Sequence, residues 1–192
     1  MTAALESRPQ GVPSVAAVAI VAGGAALLVA RPLLAFDGHP TPTLITLFLG
    51  LLVVGSRWPL TRSTTAAGAG TVSVLVAVAL GVTAFGLGRL LGGGHSPAPV
   101  TARVLALNSL AAVAEEAFFR RFTFAVLAPG GAAAAVGGSA LLFAVVHVTV
   151  YGWWVLPIDL AAGLLLGWQR LATGRWWVPA MTHIAANVLV VI

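Results

Sequence analysis

Two adjacent glutamates and two adjacent arginines, Glu115, Glu116, Arg120 and Arg121, stand inside an otherwise apolar run from Val104 to Leu127. A lone charge at a bilayer centre costs roughly 2.5 to 3.5 kcal/mol, so four unrelieved ones would cost on the order of 10 kcal/mol. Something must pair them or use them. Glu116 and Arg120 lie four apart on one helix face, with the acid N-terminal to the base, the better orientation for an ion pair. Glu115 points about 100° away around the same helix and stays available for chemistry. Three more places downstream break the apolar pattern: His147, Asp159, and His183 with Asn187.

Hydrolysis of a peptide bond needs a base to take a proton from water and donors for the oxyanion that develops. Glu115 and His147 could activate the water. His183 and Asn187, four apart on a helix that is apolar elsewhere, could present two donors to one point. Phe143 precedes His147 by four, so ring and imidazole share a face. Each group also has a structural use. Glu116 and Arg120 could lock two helices together, His147 could be a hydrogen-bonded core residue, and His183 with Asn187 could be interhelical polar contacts worth about 1 kcal/mol or less. Asp159 follows Pro157 near a helix start, where a carboxylate serves the unpaired N–H groups, and it reads as a cap. His39 and His95 fall in loops and read as solvated. A rival chemistry makes the same side chains zinc ligands, two histidines and a carboxylate with an open position, but no H-E-x-x-H is present. None of Ser14, Ser56, Ser73, Ser109 and Ser139 lies in a G-x-S-x-G pattern, which disfavours a serine nucleophile. The absence of cysteine excludes disulfides, thiol catalysis and thiolate metal sites.

The elements that must position these groups follow from composition. Of 192 residues, 59% are hydrophobic and 8% charged, with a mean hydropathy of +1.02, whereas soluble domains run nearer a quarter charged. An all-α polytopic membrane bundle follows, because apolar runs of this length satisfy their backbone groups as helices. The net charge of +5 is ten arginines against five carboxylates, and the arginines scattered at segment ends read as anchors and topology signals and not as a nucleic-acid surface. Seven segments are expected: Pro13 to about Ala30, Thr43 to Ser56, Thr65 to Leu91, Val100 to Leu127, Ala132 to Val150, Val155 to Leu171, and Trp176 to Ile192. Pro13 sits at the first helical position. The first segment reads as a retained helix and not a cleaved signal. The second is short for a span unless Thr41 and Arg57 are drawn in, and Arg89 is expected to snorkel outward. Residues 1–10 read as a polar, disordered tail, 11–94 as three anchor helices, and 95–192 as the motif-bearing bundle, within one membrane domain. Arg31, Pro32, Asp37, Gly38, His39 and Pro40 are expected to form a polar connection, and Gly92 to Pro99 the internal boundary. Trp153, Trp154, Trp176 and Trp177 stand where an interfacial belt would put them. With seven spans, Arg8, Arg57, Arg62, Arg170 and Arg175 share one side against Arg31, Arg89 and Arg103, which argues for a cytoplasmic N-terminus in a multi-pass protein of a bacterial cytoplasmic membrane. Simple counting places Glu115 near mid-membrane, His147 near one end of its helix and His183 nearer the other side, so tilted or broken helices are needed to bring them together.

In their order and spacing these residues resemble the CAAX-protease and bacteriocin-processing membrane proteins, the CPBP or Abi family, which includes the Ras-converting endoprotease. The family signature of E-E-x-x-x-R, F-x-x-x-H and H-x-x-x-N reads here as Glu115-Glu116 to Arg120, Phe143 to His147 and His183 to Asn187. The likeness covers about residues 100 to 192, and GLLLGWQRLATGRWWVPAMTHIAAN resembles the family's final hairpin. It implies a glutamate-dependent intramembrane endopeptidase without a metal or other cofactor. Glu115 and His147 would activate water, His183 and Asn187 would form the oxyanion site, and Glu116, Arg120 and Phe143 would support them. Arg121 stands where a small residue is common, which puts substrate access in question. The implied partners are the bilayer and a membrane-associated peptide or protein, with a prenylated C-terminus one substrate of the family; the oligomeric state stays open. Two other readings use the same residues: a non-catalytic immunity or scaffold protein binding a partner helix, and a proton-coupled transporter. The lack of an internal repeat weighs against the transporter.

Overall fold

The computed structural model describes residues 13–34, 40–57, 70–92 and 101–191, and among these every regular element is helical. Helix α1 spans Val15–Val29, and the Ser14 hydroxyl caps it by accepting the Ala17 N–H at 3.2 Å. Pro13 therefore lies ahead of the cap and not at the first helical position, because Ser14 is extended. A single turn, α2, follows at Arg31–Leu34, so Arg31 and Pro32 are helical where a connection was expected. Helix α3 runs Pro40–Arg57 and starts earlier than Thr43, since proline is tolerated in a first turn. Helix α4 is Thr71–Gly92. The N-terminal tail, the connection at Asp37, Gly38 and His39, residues 58–69, the boundary at 93–99 with His95, and Ile192 lie outside the described residues.

The expected uninterrupted helix from Val100 to Leu127 is instead a composite rod. Thr101 caps α5, Ala102–Glu116, by accepting the Val104 N–H at 3.2 Å. A π-helical turn then occupies Ala117–Thr123, and α6, Phe124–Leu127, completes the rod before a 3-10 turn at Ala128–Gly130. Widened turns of this kind recur at functional sites, and here the Arg120 carbonyl accepts a hydrogen bond from Arg170 Nε at 3.0 Å. Helix α7 covers Ala132–Tyr151 and stops at Gly152, whose φ of 91° an L side chain rarely adopts. Helix α8 is Leu156–Thr173, and α9 is Trp177–Val191.

Contacts fix the directions of the rods. Thr41 meets Arg103 and Gly55 meets the π-turn, so α3 and α5 run parallel. Arg89 meets Leu189 and Gly81 meets Thr182, so α4 and α9 run parallel. Helices α7 and α8 are antiparallel, with Gly167 beside Val136, Gly163 beside Ala140 and Asp159 beside His147. Helix α1 passes the α5 rod in reverse, Gly24 against Phe118 and Arg31 against Glu115. One end of the bundle thus collects the C-terminal ends of α1, α4, α7 and α9 with the starts of α3, α5 and α8.

Lipid tails are as apolar as leucine, so close packing and hydrogen bonds must hold such rods together. A Cβ on Gly55 would lie 2.5 Å from the Ala117 carbonyl carbon, which shows how closely α3 approaches the π-turn. Leu28, Phe48, Ala114, Phe118, Phe119, Phe122, Phe143 and Val146 fill the core between α1, α3, the π-turn and α7. Gln169 fastens α8 to α4 and α9 by donating to the Ala77 carbonyl at 2.7 Å and the Thr182 hydroxyl at 2.9 Å. Near the ends of α4 and α9, Arg89 donates from Nε to the Leu189 carbonyl at 3.1 Å. Large apolar side chains such as Leu75, Leu90, Leu91, Trp153 and Trp154 cover the outside. Thr71–Gly92, Ala132–Tyr151 and Trp153–Thr173 have the length and hydropathy to cross a membrane, while α1 and α3 are shorter apolar helices. The protein is an all-α membrane bundle.

Candidate active site

Glu115 lies near the end of α5, its side chain 4% exposed. Its Oε1 accepts from Arg31 Nη1 at 3.3 Å, and its Oε2 faces His147 Nε2 at 3.7 Å. His147 occupies the last turns of α7, where its Nδ1 is 2.7 Å from the Phe143 carbonyl. A carbonyl can only accept, so Nδ1 carries the hydrogen, and the neutral ring keeps its lone pair on Nε2, toward Glu115. The 3.7 Å gap is too long for a direct hydrogen bond and suits a bridging water. The ring lies between Phe143, with centroids 4.5 Å apart, and Tyr151, stacked within 6° of parallel at 5.9 Å.

Behind this pair sits a dry layer. Glu116 and Arg120 are wholly buried and form an ion pair with Oε2 to Nε at 3.3 Å. Glu116 Oε1 also accepts from His183 Nδ1 at 3.0 Å. Arg120 Nη2 donates to the Gly163 carbonyl at 3.3 Å, and its guanidinium lies 4.6 Å from the Phe143 ring centroid. Phe143 thus touches Arg120, His147 and His183 together. The pairing of Glu116 with Arg120 follows from their spacing of four residues; the tie from Glu116 to α9 does not.

Glu115, His147, His183 and Asn187 line one cavity of about 480 Å³, whose remaining wall includes Arg31, Leu44, Phe48, Val104, Leu107, Asn108 and Tyr151. The obstacle of depth disappears because the helices differ in length. The α5 rod runs from Ala102 to Leu127, whereas α9 has 15 residues, so equal counts from a loop do not mean equal heights. His183 and Asn187 are not simply two unengaged donors, however. His183 spends Nδ1–H on Glu116, and Asn187 Nδ2 donates to the Asn108 carbonyl at 3.1 Å, leaving the amide one further N–H. Arg121 turns away, donating from Nη1 to the Gly55 carbonyl. It is absent from the cavity wall.

Asp159 does not cap α8. It falls in the first turn but makes no capping bond. Its Oδ2 stands 3.8 Å from His147 Nδ1, because the α7–α8 hairpin folds that turn back onto the histidine. Four contributors escape the sequence patterns. Arg31 looks like a topology anchor, Asp159 imitates a cap, and Asn108 contributes a backbone carbonyl that no side-chain pattern reveals. Tyr151 lies four beyond His147 and could have been found by helical spacing. Among the described residues, no three His, Asp or Glu side chains are grouped so that they could hold a metal ion.

A family model for the type II CAAX prenyl endopeptidase Rce1-like proteins matches residues 97–189. No curated protein and no solved structure matches the chain. The matched region runs through the glutamate pair, both histidines and Asn187, so the chain belongs, through residues 97–189, to the Rce1-like family of membrane proteases.

Proposed function

We propose that the protein is a multi-pass intramembrane endopeptidase in which Glu115 and His147 activate a water against a peptide bond of a membrane-associated substrate. The observation that carries this reading is the pair of acceptors, Glu115 Oε2 and His147 Nε2, facing each other across 3.7 Å on the wall of a cavity. A water between them donates one hydrogen to each and turns a lone pair outward. Its oxygen attacks the scissile carbonyl carbon, the C=O π electrons move to oxygen, and the released proton goes to the dyad. Collapse of the tetrahedral species breaks the C–N bond, and the departing nitrogen takes that proton, leaving an acid and an amine. The remaining Asn187 N–H is one donor for the oxyanion. His183 can add Nε2–H only as an imidazolium, with Glu116 its counterion.

The apolar wall of Leu44, Phe48, Val104 and Leu107 suits a hydrophobic segment of substrate. Alternation in direction of the seven rods among the described residues supports a multi-pass arrangement. Arg57, Arg121, Arg170 and Arg175 gather at the end away from the site, which supports a cytoplasmic N-terminus. Zinc chemistry would need a third ligand beside the dyad; with Nδ1–H given to Glu116, the neutral His183 ring keeps an Nε2 lone pair of the kind that ligates metals, so the response to a chelator decides between the two mechanisms.

The test is cleavage of a peptide library by purified protein in liposomes, beside Glu115→Gln and His147→Ala. Both variants should lose at least about 100-fold in rate, the lower range for a general base. Equal cleavage by all three proteins overturns the reading. Activity should survive a chelator; loss that zinc restores would replace it with a metal mechanism.

A further inference from the structure

Two charged side chains outside the three motifs bracket the proposed dyad, one at each end. Arg31 comes from α2, outside residues 97–189, and its side chain is 12% exposed. Its Nη1 meets Glu115 Oε1 at 3.3 Å, and its guanidinium lies 6.0 Å from the Phe48 ring centroid. On the other side, Asp159 Oδ2 is buried, has no hydrogen-bond partner among the described residues, and stands 3.8 Å from His147 Nδ1. Arg31, Glu115, His147 and Asp159 thus form one row, from α2 through α5 and α7 to α8.

We propose that Arg31 and Asp159 are positioning residues of the hydrolytic reaction, Arg31 aiming the Glu115 carboxylate and Asp159 supporting the His147 imidazole. The inference rests on the protease reading above. A carboxylate turns easily about its last bond, because that torsion has broad minima. By taking Oε1, Arg31 leaves Oε2 as the oxygen that faces His147. Asp159 acts at the far edge of the ring. When Nε2 takes the proton of water, the imidazolium has the Phe143 carbonyl at 2.7 Å and a carboxylate at 3.8 Å on its Nδ1 side. A third group behind the base is the general pattern of an oriented acid–base pair. The titratable and charged groups around His147 are Glu115 on α5, Arg31 on α2, Tyr151 on α7, Asp159 on α8 and His183 on α9. Of these, Arg31 and Asp159 have no other described carboxylate or cation nearer than the dyad to serve.

The test sets Arg31→Gln, Arg31→Lys and Asp159→Asn beside wild type and Glu115→Gln in the liposome assay, with the thermal midpoint of each. Loss of an orienting neighbour should lower kcat about 10- to 100-fold, with KM within about twofold, the signature of a contact made in the transition state. Arg31→Lys should recover part of the loss. Nitrogen-15 spectra of the His147 ring should show Nδ1–H in wild type and a weakened preference for it in Asp159→Asn. If wild type cleaves, Glu115→Gln does not, and both neutral variants keep the wild-type kcat, this inference falls and the protease reading stands. If the variants instead raise KM and lower the midpoint together, the two residues are structural and the inference also falls. Wild type that cleaves nothing, or that Glu115→Gln matches, removes both.

Discussion

Replacing Glu116 by glutamine keeps the shape of the side chain and removes one negative charge from a place without access to water. Arg120, also wholly buried, loses the one carboxylate within ion-pair distance of it among the described residues. Breaking a buried pair by removing one member costs about 3–5 kcal/mol. Two features hold the loss near the lower figure. The glutamine carbonyl can still accept from His183, now at 3.0 Å from Glu116, and Arg120 keeps both the Gly163 carbonyl and the Phe143 face. For a chain of this size about 2–4 °C of midpoint accompanies each kcal/mol, so about 3 kcal/mol lowers the transition by roughly 6–12 °C. The neighbouring change, Glu115→Gln, acts on a cavity wall, where Arg31 can turn to water. Because both partners line the cavity, it should cost less than Glu116→Gln and shift the midpoint less. Thermal unfolding in detergent, followed through the six tryptophans, measures both. Equal shifts, or a larger one for Glu115→Gln, would refute the division into a buried structural carboxylate and a cavity-facing one.

Other expectations follow from single contacts. Asn187→Ala should lower kcat about 100- to 1,000-fold while the protein stays folded, as loss of one oxyanion donor does; a small change in kcat would remove Asn187 from that role. Gly55→Ala places a methyl 2.5 Å from the Ala117 carbonyl carbon and should destabilise by about 1–3 kcal/mol. Gly23→Ala, with nothing within 4 Å of the added carbon, is its control in thermal unfolding. The chain has no cysteine, so Trp153→Cys and Arg175→Cys introduce unique thiols; in sealed vesicles an impermeant maleimide should label them from opposite faces.

The fold class was legible because composition and run length leave few options, and the ends of the composite α5–α6 rod, of α7 and of α8 lie within a few residues of the expected segments. The motif residues were legible because helical spacing pairs Glu116 with Arg120 and Phe143 with His147. What the sequence hid was whatever depends on two helices meeting. Nothing near Arg31 shows that α1 delivers it to Glu115, and Asp159 reaches His147 only through the α7–α8 hairpin. The π-turn was invisible for a different reason: AFFRRFT suits a regular helix equally well, and its widening is stabilised by partners far along the chain, Arg170 and Gly163.

That widened turn also governs how the gene for such a chain can change length. An α-helix closes each turn with 3.6 residues, and a π-turn accommodates one more per bond. Deleting a single residue from Ala117–Thr123 would let the rod heal into regular spacing with the segments on either side keeping their directions, because the π-turn already absorbs one extra residue; the same deletion from a regular helix such as α7 would rotate everything after it by about 100°. Many positions here would accept another apolar letter, and a one-codon loss should disturb the helix register less at this turn than in the regular helices, so descendants of this sequence should drift in spelling while changes of count fall preferentially between Glu116 and Phe124.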